Sequence, residues 1–145
     1  MIERFEHFTM SIFSISRSWN RLATEEMKKY GFRGAYALYL VMIATGDGSL
    51  TAAKLADLCQ RDKADISRAV SAFQKKGILE PYGESRYRAA LKLTEEGQRL
   101  AAKISLRADE VLEQAGKGIS EEMRSNMYFC LDTIAQNMRQ ICDGE

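Results

Sequence analysis

Near the start of the chain, apolar residues fall at Phe5, Phe8, Ile12, Ile15, Trp19 and Leu22, in alternating steps of three and four. Such a seam keeps one face of a helix apolar over about three heptads, so the pattern predicts a first helix. It ends at "KKYGFRG", where Gly31 is the expected left-handed cap and Lys28 and Lys29 lie at the negative helix end. Residues 35–45, "AYALYLVMIAT", are apolar almost all round and predict a second helix central to the core. After a "GDG" turn, Ser49 or Thr51 caps a short third helix in "TAAKLADLC".

A four-residue turn, "QRDK", leads to a fourth helix that Asp62 caps and Gly77 ends. At about 100° per residue, Ile66, Ala69, Val70 and Phe73 share one of its faces and Ala64, Arg68, Ser71 and Lys75 the opposite one. In residues 87–93 the apolar Tyr87, Ala89, Leu91 and Leu93 alternate with Arg88, Ala90 and Lys92, a strand pattern. With Ile78 and Leu79 it predicts a hairpin around a basic loop, Glu84 to Arg88. Thr94 caps a fifth helix, which uses Leu100, Ile104, Val111 and Leu112 and runs to "GKG". Ser120 caps a sixth, whose Met127, Leu131, Ile134, Met138 and Ile141 repeat the heptad seam.

The expected architecture is thus mostly α (α+β). A winged helix-turn-helix lobe occupies residues 34–97, flanked by N- and C-terminal dimerisation helices in residues 1–33 and 98–145. The seams at the two chain ends leave no partner over in the middle, and pairing against each other and a second copy predicts a homodimer. One proline in 145 residues suits long helices. No apolar run approaches the ~18 residues of a membrane span, and the acidic and polar N-terminus does not read as a signal peptide. A cytoplasmic protein is expected. Its three cysteines form no CxxC pair and read as small buried hydrophobes.

Charge sharpens the picture more by distribution than by sum. The net charge is only +1, but residues 51–93 carry 9 basic against 5 acidic side chains, and residues 94–145 carry 6 against 10. The positive charge gathers around the fourth helix. A short helix, a tight turn and a second helix with a small, cationic, hydroxyl-bearing outer face form a helix-turn-helix, and a basic hairpin after it makes a wing. Such a helix enters the major groove, where outer residues must be small or hydrogen-bonding.

Arg68 is the candidate for bidentate donation to guanine, Ser67 and Ser71 for bases or phosphates, and Ala64 for a thymine methyl. Lys63 and Lys75 suit phosphates, and Thr51 begins a helix whose N–H groups suit another. Arg86 and Arg88 on the wing suit the backbone or an adjacent minor groove. Asp65 is discordant: it either accepts from a cytosine amine or sits beside a neighbouring arginine.

The run "LTAAKLADLCQRDKADISRAVSAFQKKGILEP" followed by "LKLTEEG" resembles the MarR family of winged-helix transcriptional regulators, with the match running from about residue 34 to 97. The resemblance implies a homodimer that binds palindromic operators in double-stranded DNA, most simply as a repressor. Many members release DNA when a small molecule or oxidant binds. It also implies an effector pocket between the dimer helices and the DNA-binding lobe, for which Trp19, Tyr36 and Tyr39 are candidates, although aromatics at helical spacing are core residues first. Where the family's wing commonly carries Asp-x-Arg, this chain reads "ESRYRAAL", leaving Arg86 or Arg88 to take the arginine's role. The peroxide-sensing branch uses a cysteine early in the first helix, which this chain lacks.

No nucleophile-base pairing, glycine-rich phosphate loop or paired-carboxylate spacing points to an enzyme. One histidine, His7, and three scattered cysteines imply no metal site and no cofactor. The alternative function uses the same winged-helix surface for protein partners, a reading that the modest basic charge keeps open.

Overall fold

The computed structural model describes residues 3–82 and 89–144. Six helices follow one another: α1 (Arg4–Lys28), α2 (Tyr36–Thr45), α3 (Ala52–Cys59), α4 (Lys63–Lys75), α5 (Glu95–Ala115) and α6 (Glu121–Asp143). The chain divides into two compact units, Met1–Leu106 and Arg107–Glu145, with the boundary inside α5. Among the described residues, no helix is long and apolar enough to cross a membrane.

The helix starts follow local chemistry. Oxygens of Thr51, Asp62, Thr94 and Ser120 accept from the backbone N–H three residues on, at 3.2, 2.7, 3.0 and 3.2 Å, each satisfying a donor that the first turn leaves open. At the end of α4, Gly77 has φ +71° and the Ile78 N–H turns back to the Phe73 carbonyl at 2.8 Å. Gly31 closes α1 in the same way, with Phe32 N–H on the Met27 carbonyl at 3.1 Å. The turn from α3 to α4 is tighter. Gln60 takes the left-handed conformation at φ +52°, and the Arg61 N–H reaches the Ala56 carbonyl at 3.0 Å.

The core of the first unit is continuous. Met27 from α1, Tyr36, Tyr39, Leu40 and Ile43 from α2, Leu55 from α3, and Ile66, Val70 and Phe73 from α4 are buried together with Leu79, Leu91, Leu100 and Ile104. Phe73 packs edge-on against Phe32 and Tyr36, with ring centroids 5.1 and 5.7 Å away.

The base of the predicted hairpin, between residues 78–80 and 92–94, is in place; its basic loop, Glu84 to Arg88, lies outside the described residues. Leu79 pairs with Leu93 and Thr51 with Ala90 as isolated antiparallel bridges. The N–H groups of Ile78 and Leu79 both close α4 on the Phe73 carbonyl, so Ile78 meets Thr94 through its carbonyl alone. Glu80 N–H donates to the Lys92 carbonyl and Thr94 N–H to the Ile78 carbonyl, both at 2.9 Å. On its other side the segment is tied by Leu91 N–H to the Leu50 carbonyl at 2.7 Å, a third short stretch that the sequence pattern did not signal. The alternation still holds here: Leu91 is buried and Lys92 exposed.

The two heptad stripes are bare. Phe5, Phe8, Ile12, Ile15 and Trp19 on α1 are exposed. So are Met127, Leu131, Ile134, Met138 and Ile141 on α6, which has no buried residue. The cysteines are expected to be small buried hydrophobes, and of the three Cys59 alone is covered, and only in part. Burial pushes its thiol pKa up, and the thiol donates to the Met42 sulfur at 3.4 Å. Cys130 and Cys142 are exposed instead, because they lie on the uncovered α6.

Candidate nucleic-acid interface

The fourth helix is held by one face and offers the other. Ile66, Ala69, Val70 and Phe73 anchor it in the core. Lys63, Ala64, Ser67, Arg68, Ser71 and Lys75 are all exposed, so the structure brings the predicted contact residues onto one free surface. Thr51 is half-buried, and its hydroxyl oxygen already serves as the α3 cap. The wing candidates Arg86 and Arg88 lie outside the described residues.

Asp65 sits between the free face and the core. Its Oδ2 accepts from the Tyr39 hydroxyl at 2.6 Å, and its Oδ1 lies 3.5 Å from an Arg68 guanidinium nitrogen. Of the two sequence alternatives, the observed geometry is the arginine neighbour. The Tyr39 hydrogen bond, and after it the positive charges of Arg68, Arg61 and Arg33, hold the Asp65 carboxyl below its usual range. Burial, and then the bond to Asp65, push the Tyr39 phenol up to about 12, so it remains a donor at neutral pH.

Sequence reasoning missed this link. Tyr39 and Asp65 are 26 residues apart, and no periodicity connects them. One signal was available: a tyrosine on an otherwise apolar helix needs a partner for its hydroxyl. Arg33, before α2, and Arg61, in the α3–α4 turn, are both exposed and extend the cationic surface around Arg68.

The aromatic effector candidates have different settings. Tyr36 and Tyr39 are core residues with rings 5.9 Å apart, whereas Trp19 is exposed on α1 and lies outside that buried cluster. None of the three lines the open cavity of about 630 Å³ bordered by Ile43, Gly46, Leu91, Leu93, Gln98 and Ala101.

No protein-family model and no curated protein sequence matches the chain. Solved structures do. A MarR family transcriptional regulator from Listeria monocytogenes, crystallised in complex with 26mer DNA, is 23% identical over 94% of this chain and 95% of its own, with a TM-score of 0.80. A MarR regulator from Methanosarcina mazei is 21% identical over 94% and 99%, with a TM-score of 0.78. A MarR/EmrR family regulator from Acinetobacter is 23% identical over 96% and 99%, with a TM-score of 0.77. At these identities the likeness establishes the fold. The chain is built as the MarR-type winged-helix regulators are.

Proposed function

We propose that this chain, sharing its fold with transcriptional regulators, is itself a sequence-preferring duplex-DNA-binding regulator. It acts as a homodimer on a palindromic operator, as a repressor that responds to a small-molecule ligand. The observation that carries the proposal is the outer face of α4: small, hydroxyl-bearing and cationic, on a helix fixed in place by its buried side. A major groove admits such a helix, and bases are read there by side chains of this kind. A similarly folded regulator crystallised in complex with 26mer DNA supports the same reading.

The bare stripes of α1 and α6 support the homodimer. Fully covering a single Leu, Ile or Met contributes about 1.5–3 kcal/mol, so five such positions on α6 leave a large gain unrealised in a lone chain. A two-fold would set the two α4 helices about 34–36 Å apart, one turn of duplex. Placing a charge in the middle of the stripe, Ile134→Glu, is expected to shift the protein to monomer in sedimentation analysis and to abolish tight DNA binding. Retention of the wild-type oligomer would remove α6 from the interface.

Fluorescence anisotropy on the protein's own upstream promoter, against shuffled duplex at three salt concentrations, tests the DNA reading. Tight promoter-preferring binding with a steep negative salt slope is expected. Arg68→Ala should remove about 1–3 kcal/mol and relax base preference, whereas Lys75→Ala should weaken all sequences alike. An Arg68→Ala protein that binds every sequence as before would overturn the face assignment. Absence of binding even at low salt would favour a protein partner on this surface. A small molecule that lowers promoter affinity in the same titration identifies itself as the effector.

A further inference from the structure

We propose that Tyr39 and Asp65 are positioning residues for Arg68: a phenol rooted in the core holds a carboxylate that in turn orients the guanidinium presented to DNA. The inference rests on the DNA-binding reading and goes a step further, assigning part of the base preference to residues that touch no base.

Three observations converge. Asp65 is fixed at both ends, since its backbone N–H donates to the Asp62 cap at 2.7 Å and its side chain accepts from Tyr39 at 2.6 Å. Tyr39 itself has no freedom to follow, being only 1% exposed and packed beside Tyr36. The second Asp65 oxygen faces Arg68, whose side chain is otherwise 60% exposed.

An ordinary exposed ion pair three residues apart orients little, because both partners swing between rotamers. Here one partner cannot swing. The arrangement also accounts for a negative charge on a surface suited to phosphates. With Arg33, Arg61 and Arg68 all acting on it, Asp65 is a fixed counter-charge among exposed cations. An arginine pre-set in its fork geometry loses less conformational freedom when it meets a guanine edge.

The test begins by selecting preferred sites for the wild-type protein from a random duplex library. Affinity is then measured for the selected site and for the site changed at the base pair to which Arg68→Ala is insensitive. Tyr39→Phe, which removes one oxygen, is expected to lower that affinity ratio about three- to tenfold, the factor expected when a side chain spreads over several staggered wells. The salt slope should stay unchanged, because no phosphate contact is lost. In an Arg68→Ala background, Tyr39→Phe should have no further effect on the ratio, which separates positioning from general loosening. A purely structural role for Tyr39 would lower the melting temperature and leave the ratio alone.

Asp65→Asn keeps the shape while removing the charge and should lower the ratio in the same way; it decides the matter if Tyr39→Phe does not fold. A wild-type ratio in Tyr39→Phe and Asp65→Asn, or an equal loss with and without Arg68, overturns the inference. If Arg68→Ala relaxes preference while those two variants do not, only the positioning role falls. If the wild type selects no site, the DNA reading falls with it.

Discussion

Phe73→Ala is expected to lower the stability of the first unit by about 3–5 kcal/mol, the usual cost of emptying a buried aromatic site. Phe73 is completely buried on the inner face of α4. Its ring meets Phe32 from the α1–α2 connection and Tyr36 from α2, both edge-on. Removing the ring therefore strips contacts from two other elements at once. Against a total stability of about 5–15 kcal/mol, the loss approaches the whole margin. Urea unfolding followed by circular dichroism would show it as a large fall in midpoint with little change in slope. Phe73→Leu, which keeps most of the volume, should cost much less. A loss below about 1 kcal/mol for the alanine variant would mean that the core closes over the gap.

Gly97→Ala carries the second large effect, and its sign is the informative part. Within a helix, glycine to alanine ordinarily stabilises by about 1 kcal/mol. A methyl at Gly97 would instead stand 2.1 Å from the Ile78 carbonyl oxygen, 3.0 Å from its carbon and 3.2 Å from Leu93 Cδ2. The carbonyl cannot step aside cheaply. It accepts from the Thr94 N–H at 2.9 Å and lies 3.2 Å from the Thr94 hydroxyl, which also donates to the Gly77 carbonyl at 2.5 Å. These bonds join the end of α4, the base of the wing and the start of α5, so relief of the clash must break one of them. A cost of about 3 kcal/mol follows, at the upper end for overpacking. Calorimetry would register a clear drop in Tm; a Tm at or above that of the wild type would mean that α5 approaches Ile78 less closely.

The "LTEEG" resemblance thus has a physical basis: the threonine caps and ties, and the glycine permits the approach. That kind of information is legible in a sequence because it is local. The starts at Thr51, Asp62, Thr94 and Ser120 each need one oxygen three residues from a free N–H, and the ends at Gly31 and Gly77 need one residue tolerant of positive φ. The outer face of α4 was legible for the same reason, as a consequence of helical period alone.

What was not legible depends on pairing between distant segments. Residues 87–93 alternate as a strand should, yet the Ile78 N–H that would face Thr94 is already taken by the end of α4. At Leu50 and Thr51 the sequence signals a helix cap and a phosphate contact but no strand, although the Leu50 carbonyl accepts from Leu91. Asp65 stayed ambiguous because its partner Tyr39 is a long way off in the chain and looks, from its neighbours, like one more core aromatic.

The left-handed Gln60 has a consequence for sequence tolerance. A side chain in that conformation costs about 1–2 kcal/mol, which glycine would avoid. Glycine would, however, return about 0.4–1 kcal/mol of freedom to the unfolded chain. The difference, up to about 1.6 kcal/mol, favours glycine, and Gln60 is exposed, so packing adds no preference of its own. Position 60 is therefore open to glycine or a short polar residue, whereas Asp62, two residues on in the same turn, is held to its role as the α4 cap.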